Sequence, residues 1–430
     1  MPEESDGAEV RRRHLSGGIA ALAPMFAPLR ERNYRLWATA DLVSTAGTWM
    51  QVLGLNWLIL SDTGSAATMG LVVMLQALPV LILGTWGGAL ADRLPARPLL
   101  IASQAVRALL ALALVAHGGH PLIYAVALAS GVISSFEGPA LGRFGSALVP
   151  PSALGSALAL GSVLSSAGRI GGMALGGILV GVTGPAALFV INAVSYLAVI
   201  GALSAMRTGE LRDLPTAAPG ERGIRSGLRY IAGQPIVLIV LALSFVLGSL
   251  GRNYQVSMAA MTAGPLHAGS GAYGLLSTVF AVGAVLGGLL LAGSGRSTLR
   301  VLLGTGLTIS LLQLGAGLAP NLTSFAALIL PIAAGAVVFD TVVSTRIQLD
   351  TREDMRGRVL AAVGIVSSLS GMFGAPAVGW LCDTAGPRGA LLLGGAITTA
   401  AALAGAAAVA RATGRGLHLP EPFTPAEQMA

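Results

Sequence analysis

The fold follows from two stretches of this chain that align with each other as an internal repeat. The first copy reads GSALALGSVLSSAGRIGGMALGGILVGVTGPAAL at residues 155–188. The second copy reads GRVLAAVGIVSSLSGMFGAPAVGWLCDTAGPRGA at residues 357–390, so the two align without a gap at an offset of 202. Each copy contains an apolar run of the roughly 20 residues that a helix needs to cross a bilayer, followed by a Gly-Pro step. The repeat therefore predicts two helix pairs with the same topology.

A second, shorter repeat lies nearer the start of each half of the chain. At an offset of 204, the matching residues are Gly47, Gln51 and Gly70 against Gly251, Gln255 and Gly274. Together the two repeats predict two six-helix halves in parallel orientation, related by an axis along the membrane normal. Some transporters are built on this plan. The alternative is that spans rich in Gly, Ala and Leu match by composition alone.

The composition places most of the chain in a bilayer. Of its 430 residues, 54% are hydrophobic and only 10% are charged, against about 25% in soluble domains. The single cysteine, Cys382, excludes an intrachain disulfide and a cysteine metal cluster. All 26 basic residues are Arg, so no Walker-type loop can be completed with Lys. We therefore expect neither an enzyme, nor a cofactor, nor a resident metal.

The predicted fold class is an all-α membrane protein with twelve transmembrane helices in two parallel six-helix halves. The predicted spans are 34–60, 66–91, 98–116, 121–142, 157–181, 185–206, 236–262, 271–292, 299–319, 322–345, 358–382 and 386–411. The predicted regions are a cytoplasmic N-terminal segment (1–33), the N-terminal half (34–206), a cytoplasmic linker with an amphipathic helix at 221–233 (207–235), the C-terminal half (236–411) and a cytoplasmic tail (412–430).

The arginines predict the orientation. In the assignment with the N-terminus inside, 22 of the 26 fall in the inner segments and only Arg388 falls in an outer loop. Because cytoplasmic loops are enriched in Arg and Lys, both termini are expected in the cytoplasm of a bacterial cell, with the chain in its inner membrane. Because the arginines lie in short loops between apolar runs, the positive-inside rule accounts for the basic pI, and we expect no nucleic-acid partner.

One loop resembles a family signature. Residues 87–97 read GGALADRLPAR, which resembles the motif between spans two and three of the major facilitator superfamily. Further segments resemble the branch that includes the enterobactin exporter and macrolide efflux pumps, at residues 32–37, 76–79, 167–170, 192–197 and 356–359. The resemblance covers about residues 30–410 and implies the major facilitator fold, with a substrate site near the midplane between the halves.

The resemblance also implies a conformational latch. Asp92 would face the positive N-terminus of another helix and hold the outward-open state, with Arg93 and Arg97 in the same charge network. The alternative is a charge cluster that only sets topology. The sequence departs from the family pattern at two places. Met173 replaces the Pro of the antiporter motif, and the Arg motif of span four is absent. Both departures weaken the expectation that protons are coupled by the family's usual arrangement.

Charges within spans are candidate functional residues, because each is costly in hydrocarbon unless it faces water or a partner. The candidates for proton or substrate coupling are Asp41, Glu137, Arg169 and Asp340. Arg169 could bind an anion or pair with Asp41 or Glu137, and Arg107 is expected to pair with an acid of its own half. The alternative for the acids is solvation near the headgroups or pairing with a loop Arg. Weaker candidates for the cavity lining are Trp49, Gln51, Tyr254 and Gln255, although aromatic residues near span ends also act as interfacial anchors.

These patterns predict a secondary active transporter that exports amphipathic small molecules, drugs or natural products, by alternating access and in exchange for protons. Its expected partners are the small-molecule substrate, protons and membrane lipid, and the expected state is a monomer. A siderophore or self-made metabolite exporter is one alternative. A lipid or lysolipid flippase is another, for which a lateral opening between helices is the discriminating feature. A non-transporting sensor would need a sizeable soluble domain.

Overall fold

The computed structural model describes residues 23–116, 119–212, 230–294, 298–351 and 355–414, and in these ranges the chain is helical without strands. A short 3-10 helix at Ala23–Arg30 precedes the bundle. The N-terminal half consists of α1 (Arg32–Thr63), α2 (Ala66–Arg93), α3 (Ala96–Val115), α4 (Gly119–Ala147), α5 (Leu154–Thr183) and α6 (Pro185–Ala205). The C-terminal half consists of α7 (Pro235–Gly251), α8 (Tyr254–Ala263), α9 (Ser270–Ser294), α10 (Leu299–Gly317), α11 (Leu322–Asp350) and α12 (Arg356–Gly414).

The helix ends follow from local sequence. Gly64 ends α1 with a φ of 65°, a conformation that favours glycine. Ser65 begins α2, where its hydroxyl accepts the Thr68 N–H at 3.2 Å. A capping box between Asn321 and Ser324 begins α11 in the same way. The predicted boundaries between spans therefore coincide with residues that satisfy free backbone groups at helix ends.

The Gly-Pro step of the repeat has one backbone conformation in both copies. Gly184 between α5 and α6 has φ 76° and ψ 176°, and Gly386 within α12 has φ 75° and ψ 159°. Glycine adopts this region because it has no Cβ, and the following proline suits the first turn of the next helix. The long helix α12 is therefore two arms, before and after Gly386.

Ten helices among the described residues are long and apolar enough to cross a membrane, so this is a multi-span membrane protein. One of them, Ala362–Ala412, contains the bend at Gly386, and α1 is not among the ten. The number twelve therefore stays a prediction. The span expected as one helix at 236–262 is broken between α7 and α8, where Asn253 Nδ2 donates to the carbonyl of Ser249 at 2.7 Å. The predicted amphipathic helix at 221–233 lies mostly outside the described residues, as do residues 1–22 and 415–430.

The two halves pack in the same order. In the first half α2 packs on α4, α4 on α3, α3 on α6, α6 on α1 and α1 on α5. In the second half, α9 packs on α11, α11 on α10, α10 on α12 and α12 on α7. Between the halves, the extensive contacts are α2 with α12 and α5 with α9.

We call the end of the bundle that carries Ser65 the closed end, because the halves meet there. A Cβ at Gly177 would lie 2.5 Å from the carbonyl oxygen of Gly274, and one at Gly379 would lie 2.3 Å from that of Ala66. Such backbone contact between helices requires small residues. All hydrogen bonds between the halves that join described residues lie in the part of the bundle nearest this end. We call the opposite end, which carries Arg93, the open end.

Candidate functional site: a charged cavity between the halves

A cavity of about 210 Å³ lies between the two halves. Both halves contribute to its wall, including Trp49, Arg169, Arg252, Tyr254, Gln255 and Asp340. The break between α7 and α8 places Arg252 and Asn253 at this wall. Discontinuous helices commonly form substrate sites in transporters, because the break exposes polar groups to a cavity.

Arg252 and Asp340 form an ion pair in this cavity through Nη1 and Oδ1. Their side chains are 33% and 43% exposed, so the pair remains accessible. This pairing differs from the loop Arg that the sequence suggested as the alternative partner of Asp340. Arg252 lies within the predicted span 236–262, and the sequence gives no sign that the helix breaks beside it.

Arg169 enters the cavity from α5. Its guanidinium lies over the ring of Trp49, 5.8 Å from the centroid, which is a cation–π contact. No carboxylate among the described residues lies within ion-pair distance of it, so its suggested pairing with Asp41 or Glu137 is not seen. The cavity wall therefore carries two arginines and one aspartate.

Polar and aromatic side chains close this cavity toward Ser65. Asn56 Nδ2 lies 3.5 Å from Gln255 Oε1 and 3.5 Å from the Tyr273 hydroxyl. Trp57 stacks on Tyr273, with ring centroids 6.0 Å apart. Tyr254 is buried against Phe280, and its hydroxyl has no hydrogen-bond partner among the described residues.

Glu137 lines a second cavity, about 420 Å³ in volume, whose wall comes from helices of the N-terminal half and shares Trp49 with the first cavity. Arg107 donates to Glu137 at 2.7 Å and to Ser134 at 2.8 Å, while Gln104 donates to the other oxygen of Glu137 at 2.7 Å. The side chains of Arg107 and Glu137 are 17% and 6% exposed. Glu137 is therefore held in a buried network.

Asp41 and Gln51 also line the cavity of the N-terminal half. Gln51 Oε1 accepts from Asn192 at 2.6 Å, which ties α1 to α6. Asp41 forms no ion pair with a described residue and also borders a cavity against α5. The structure therefore separates Asp41 and Glu137 from Arg169 and Asp340.

The three residues of the expected latch lie around the end of α2. Asp92 and Arg93 are its last two residues, and the side chain of Asp92 lies outside the described part of the structure. Arg97 donates to the carbonyls of Leu203 at 2.8 Å and Ser204 at 3.0 Å, so it binds the C-terminus of α6. Arg97 also borders a cavity of about 690 Å³ at the surface of the N-terminal half.

A helix-end contact that the sequence did not predict joins the two halves. Asp383, on the first arm of α12, accepts from the Ser65 hydroxyl at 2.6 Å and from the N–H groups of Ala66 at 2.8 Å and Ala67 at 3.1 Å. A carboxylate at this position satisfies free N–H groups and complements the helix dipole of α2. Its only sequence signal is a lone acid beside the predicted end of span eleven.

Residues 23–421 match the protein family described as transmembrane secretion effector, a family of the major facilitator superfamily. The chain belongs to this family. It is therefore a membrane transporter of the major facilitator type. Among the residues that the structure describes, no cluster of three or more His, Cys, Asp or Glu could hold a metal ion.

Two bacterial transporters are similar to this chain in sequence. An uncharacterized MFS-type transporter of Bacillus subtilis, YfiS, is 28% identical over 381 residues, which are 83% of this chain and 88% of the relative. The staphyloferrin A transporter of Staphylococcus aureus is 22% identical over 251 residues, which are 57% of this chain and 63% of the relative.

Solved transporters share the fold. The bacterial homologue of the human lysosomal transporter Spinster, in an inward-facing and occupied conformation, has a TM-score of 0.70 at 16% identity, over 92% of this chain and 99% of that chain. The nucleoside transporter NupG has a TM-score of 0.68 at 14% identity, over 88% of this chain and 99% of that chain.

Proposed function

We propose that this protein exports amphipathic small molecules from a bacterial cell by alternating access, in exchange for protons. The observation that carries the proposal is the charged cavity between two halves whose mutual hydrogen bonds, among the described residues, all lie toward the closed end. A bundle closed at one end gives a central site access from one side of the membrane. Rocking of one half against the other then transfers that access to the opposite side.

The open end faces the cytoplasm in this proposal. Arg93 and Arg97 lie at that end, and the positive-inside rule assigns such segments to the cytoplasm. The structure then corresponds to an inward-open state that receives substrate from the cell. The contacts of Asp383 with α2 would be the ones that break when the closed end opens.

Asp41 is the carboxylate that we assign to proton exchange. It borders a cavity and has no ion-pair partner among the described residues, so it can bind and release a proton without breaking a salt bridge. Glu137 is a poorer candidate, because Arg107 and Gln104 already occupy its two oxygens.

The test uses inside-out vesicles from a host that lacks its own efflux pumps. A quenched dye reports the transmembrane pH gradient while cationic, neutral and anionic amphiphiles are added. Asp41→Asn is compared with wild type and with Asp62→Asn, which removes an exposed acid from the same helix. We expect one or more compounds to dissipate the gradient with wild type and Asp62→Asn but not with Asp41→Asn. If no compound moves protons, the antiport part of the proposal fails.

A siderophore or self-made metabolite exporter is the second candidate, favoured by the similarity to the staphyloferrin A transporter. The two candidates predict different substrate ranges. A drug exporter would transport several unrelated amphiphiles. A metabolite exporter would transport one product and none of the amphiphiles added in the vesicle experiment. Analysis of the medium for compounds lost on deletion of the gene distinguishes them.

A further inference from the structure

We infer that the transported molecule is a single-chain amphiphile with an acidic head group, which binds at Arg169 and Arg252 while its hydrocarbon chain lies between α2 and α12. The inference rests on the proposed transport function and adds the substrate class. It combines the charge of the central cavity with an apolar cleft that lies next to it along α2 and α12.

The head-group site has one positive charge without an ion-pair partner among the described residues. Arg252 is paired with Asp340, whereas Arg169 contacts the ring of Trp49. A guanidinium binds carboxylate or phosphate through two parallel hydrogen bonds, so an anionic head group completes this site. A cationic head group would meet Arg169 as a like charge.

The chain site is a cleft of about 560 Å³ between α2 and the first arm of α12. It is lined by Ala77, Val80, Leu81 and Gly84 on one side and by Gly364, Ile365, Ser368, Leu369 and Met372 on the other. Val80, Leu81 and Ile365 are 40%, 44% and 47% exposed, so apolar surface remains uncovered there. Among these lining residues only Ser368 has a polar side chain, and this suits a hydrocarbon chain.

The two sites are adjacent. On α2, Val73 lines the central cavity and Ala77 lines the cleft, while on α12 the corresponding residues are Ala375 and Met372. Residues three or four apart on a helix lie on one face, about 5 Å along its axis. One molecule can therefore place its head group at the arginines and extend its chain along the same faces of α2 and α12. The lateral position of the cleft also provides a route from the lipid phase.

The experiment measures binding to the full-length protein in lipid nanodiscs. The probes are radiolabelled alkyl carboxylates of eight, ten and twelve carbons, dodecyl phosphate, and dodecyltrimethylammonium as the matched cation. We expect both anionic classes to bind, with affinity rising by up to about fourfold per added methylene, the effect of fully burying one CH₂. The ratio between dodecanoate and dodecyl phosphate identifies which acidic head group is preferred.

Variants separate the head-group site from the chain site. Arg169→Gln should weaken binding of every anionic probe at least tenfold, whereas Arg300→Gln, which removes an exposed arginine outside the cavity, should not. Ala77→Phe, which fills the cleft, should flatten the dependence on chain length, whereas Ala404→Phe on an exposed face of α12 should not.

Three outcomes overturn the inference. One is tighter binding of the cation than of dodecanoate by wild-type protein. Another is anion binding that is unchanged in Arg169→Gln. The third is a chain-length dependence that survives Ala77→Phe. If cationic compounds dissipate the pH gradient in vesicles while the anions fail to bind, the proposed export stands and this inference alone falls. If no compound binds and none moves protons, both fail.

Discussion

Glu137 and Asp340 are acids at corresponding places in the two halves, yet they lie in different surroundings. They are 203 residues apart, between the two repeat offsets, on α4 and α11. Glu137 is buried with Arg107 inside the N-terminal half, where its side chain is 6% exposed. Asp340 pairs with Arg252 at the wall of the central cavity, where its side chain is 43% exposed.

The position of the arginine, not that of the acid, produces this difference. Thr48 occupies the place of Arg252 at the repeat offset of 204, and Ser310 lies near the place that corresponds to Arg107. In the second half Ser310 is buried and donates to the carbonyl of Gly306 at 2.9 Å. One repeated helix plan therefore supports a structural ion pair in one half and a ligand-accessible pair in the other.

The largest expected effect tests the buried pair. Glu137→Ala leaves the guanidinium of Arg107 without its counter-charge, and breaking a buried pair costs about 3–5 kcal/mol of folding free energy. Asp340→Ala should cost about 1 kcal/mol or less, because its pair is exposed to the cavity. Melting temperatures of the purified proteins in detergent check this. Equal losses from the two substitutions would refute the distinction.

The second prediction is that the cavity pair matters more for transport than for stability. Asp340→Asn should lower flux roughly tenfold, equivalent to about 1.4 kcal/mol of interaction free energy, while the melting temperature changes little. The physical reason is that the substitution leaves Arg252 without its counter-charge in the cavity that we propose binds the substrate. Flux and melting temperature are measured on the same preparations. A loss of flux that merely parallels a loss of folded protein would contradict a role in the cavity.

A third prediction extends the comparison to the two contacts between the halves. Asp383 caps α2 at the α2–α12 contact, whereas the equivalent position at the α5–α9 contact, 202 residues earlier, is Gly181. Asp383→Asn should destabilise the closed end by about 1 kcal/mol, the typical value of a helix cap, and so shift the populations about fivefold. Spin labels on α2 and α12 measure the distances between the halves. Unchanged distance distributions would show that the cap does not bias the closed end.

The smallest expected effect concerns Arg169, which brings a charge from the N-terminal half into the shared cavity. Trp49→Leu keeps every charge of the cavity but removes the ring on which the Arg169 guanidinium stacks, a contact worth about 0.5–1 kcal/mol. We expect a two- to fivefold rise in the apparent KM with an unchanged maximal rate. Arg169→Lys loses the same contact together with the planar geometry that binds an acidic head group, so its rise should be at least as large. A rise with one substitution and none with the other would contradict the stacking.

Much of the fold could be predicted because hydropathy is a local property. The apolar runs and the Gly-Pro steps at 184–185 and 386–387 lie where the helices begin, end and bend. The break at Arg252 could not be predicted, because the run from 236 to 262 stays apolar on both sides of it. The candidate site was predicted only in part. Arg169, Asp340 and Tyr254 line one cavity and Glu137, Asp41 and Gln51 line another, while Trp49 lines both.

The sequence alone determined the membrane class, the repeat and the set of charges that require a partner or water. It did so because burial in lipid and helix termination depend on neighbouring residues along the chain. Only the tertiary structure decided which charges meet, since Arg107 and Glu137 or Arg252 and Asp340 are brought together by packing between helices far apart in sequence. The same packing decided that Asp383 reaches the start of α2, more than 300 residues earlier, because a helix end attracts whichever carboxylate the fold places beside it.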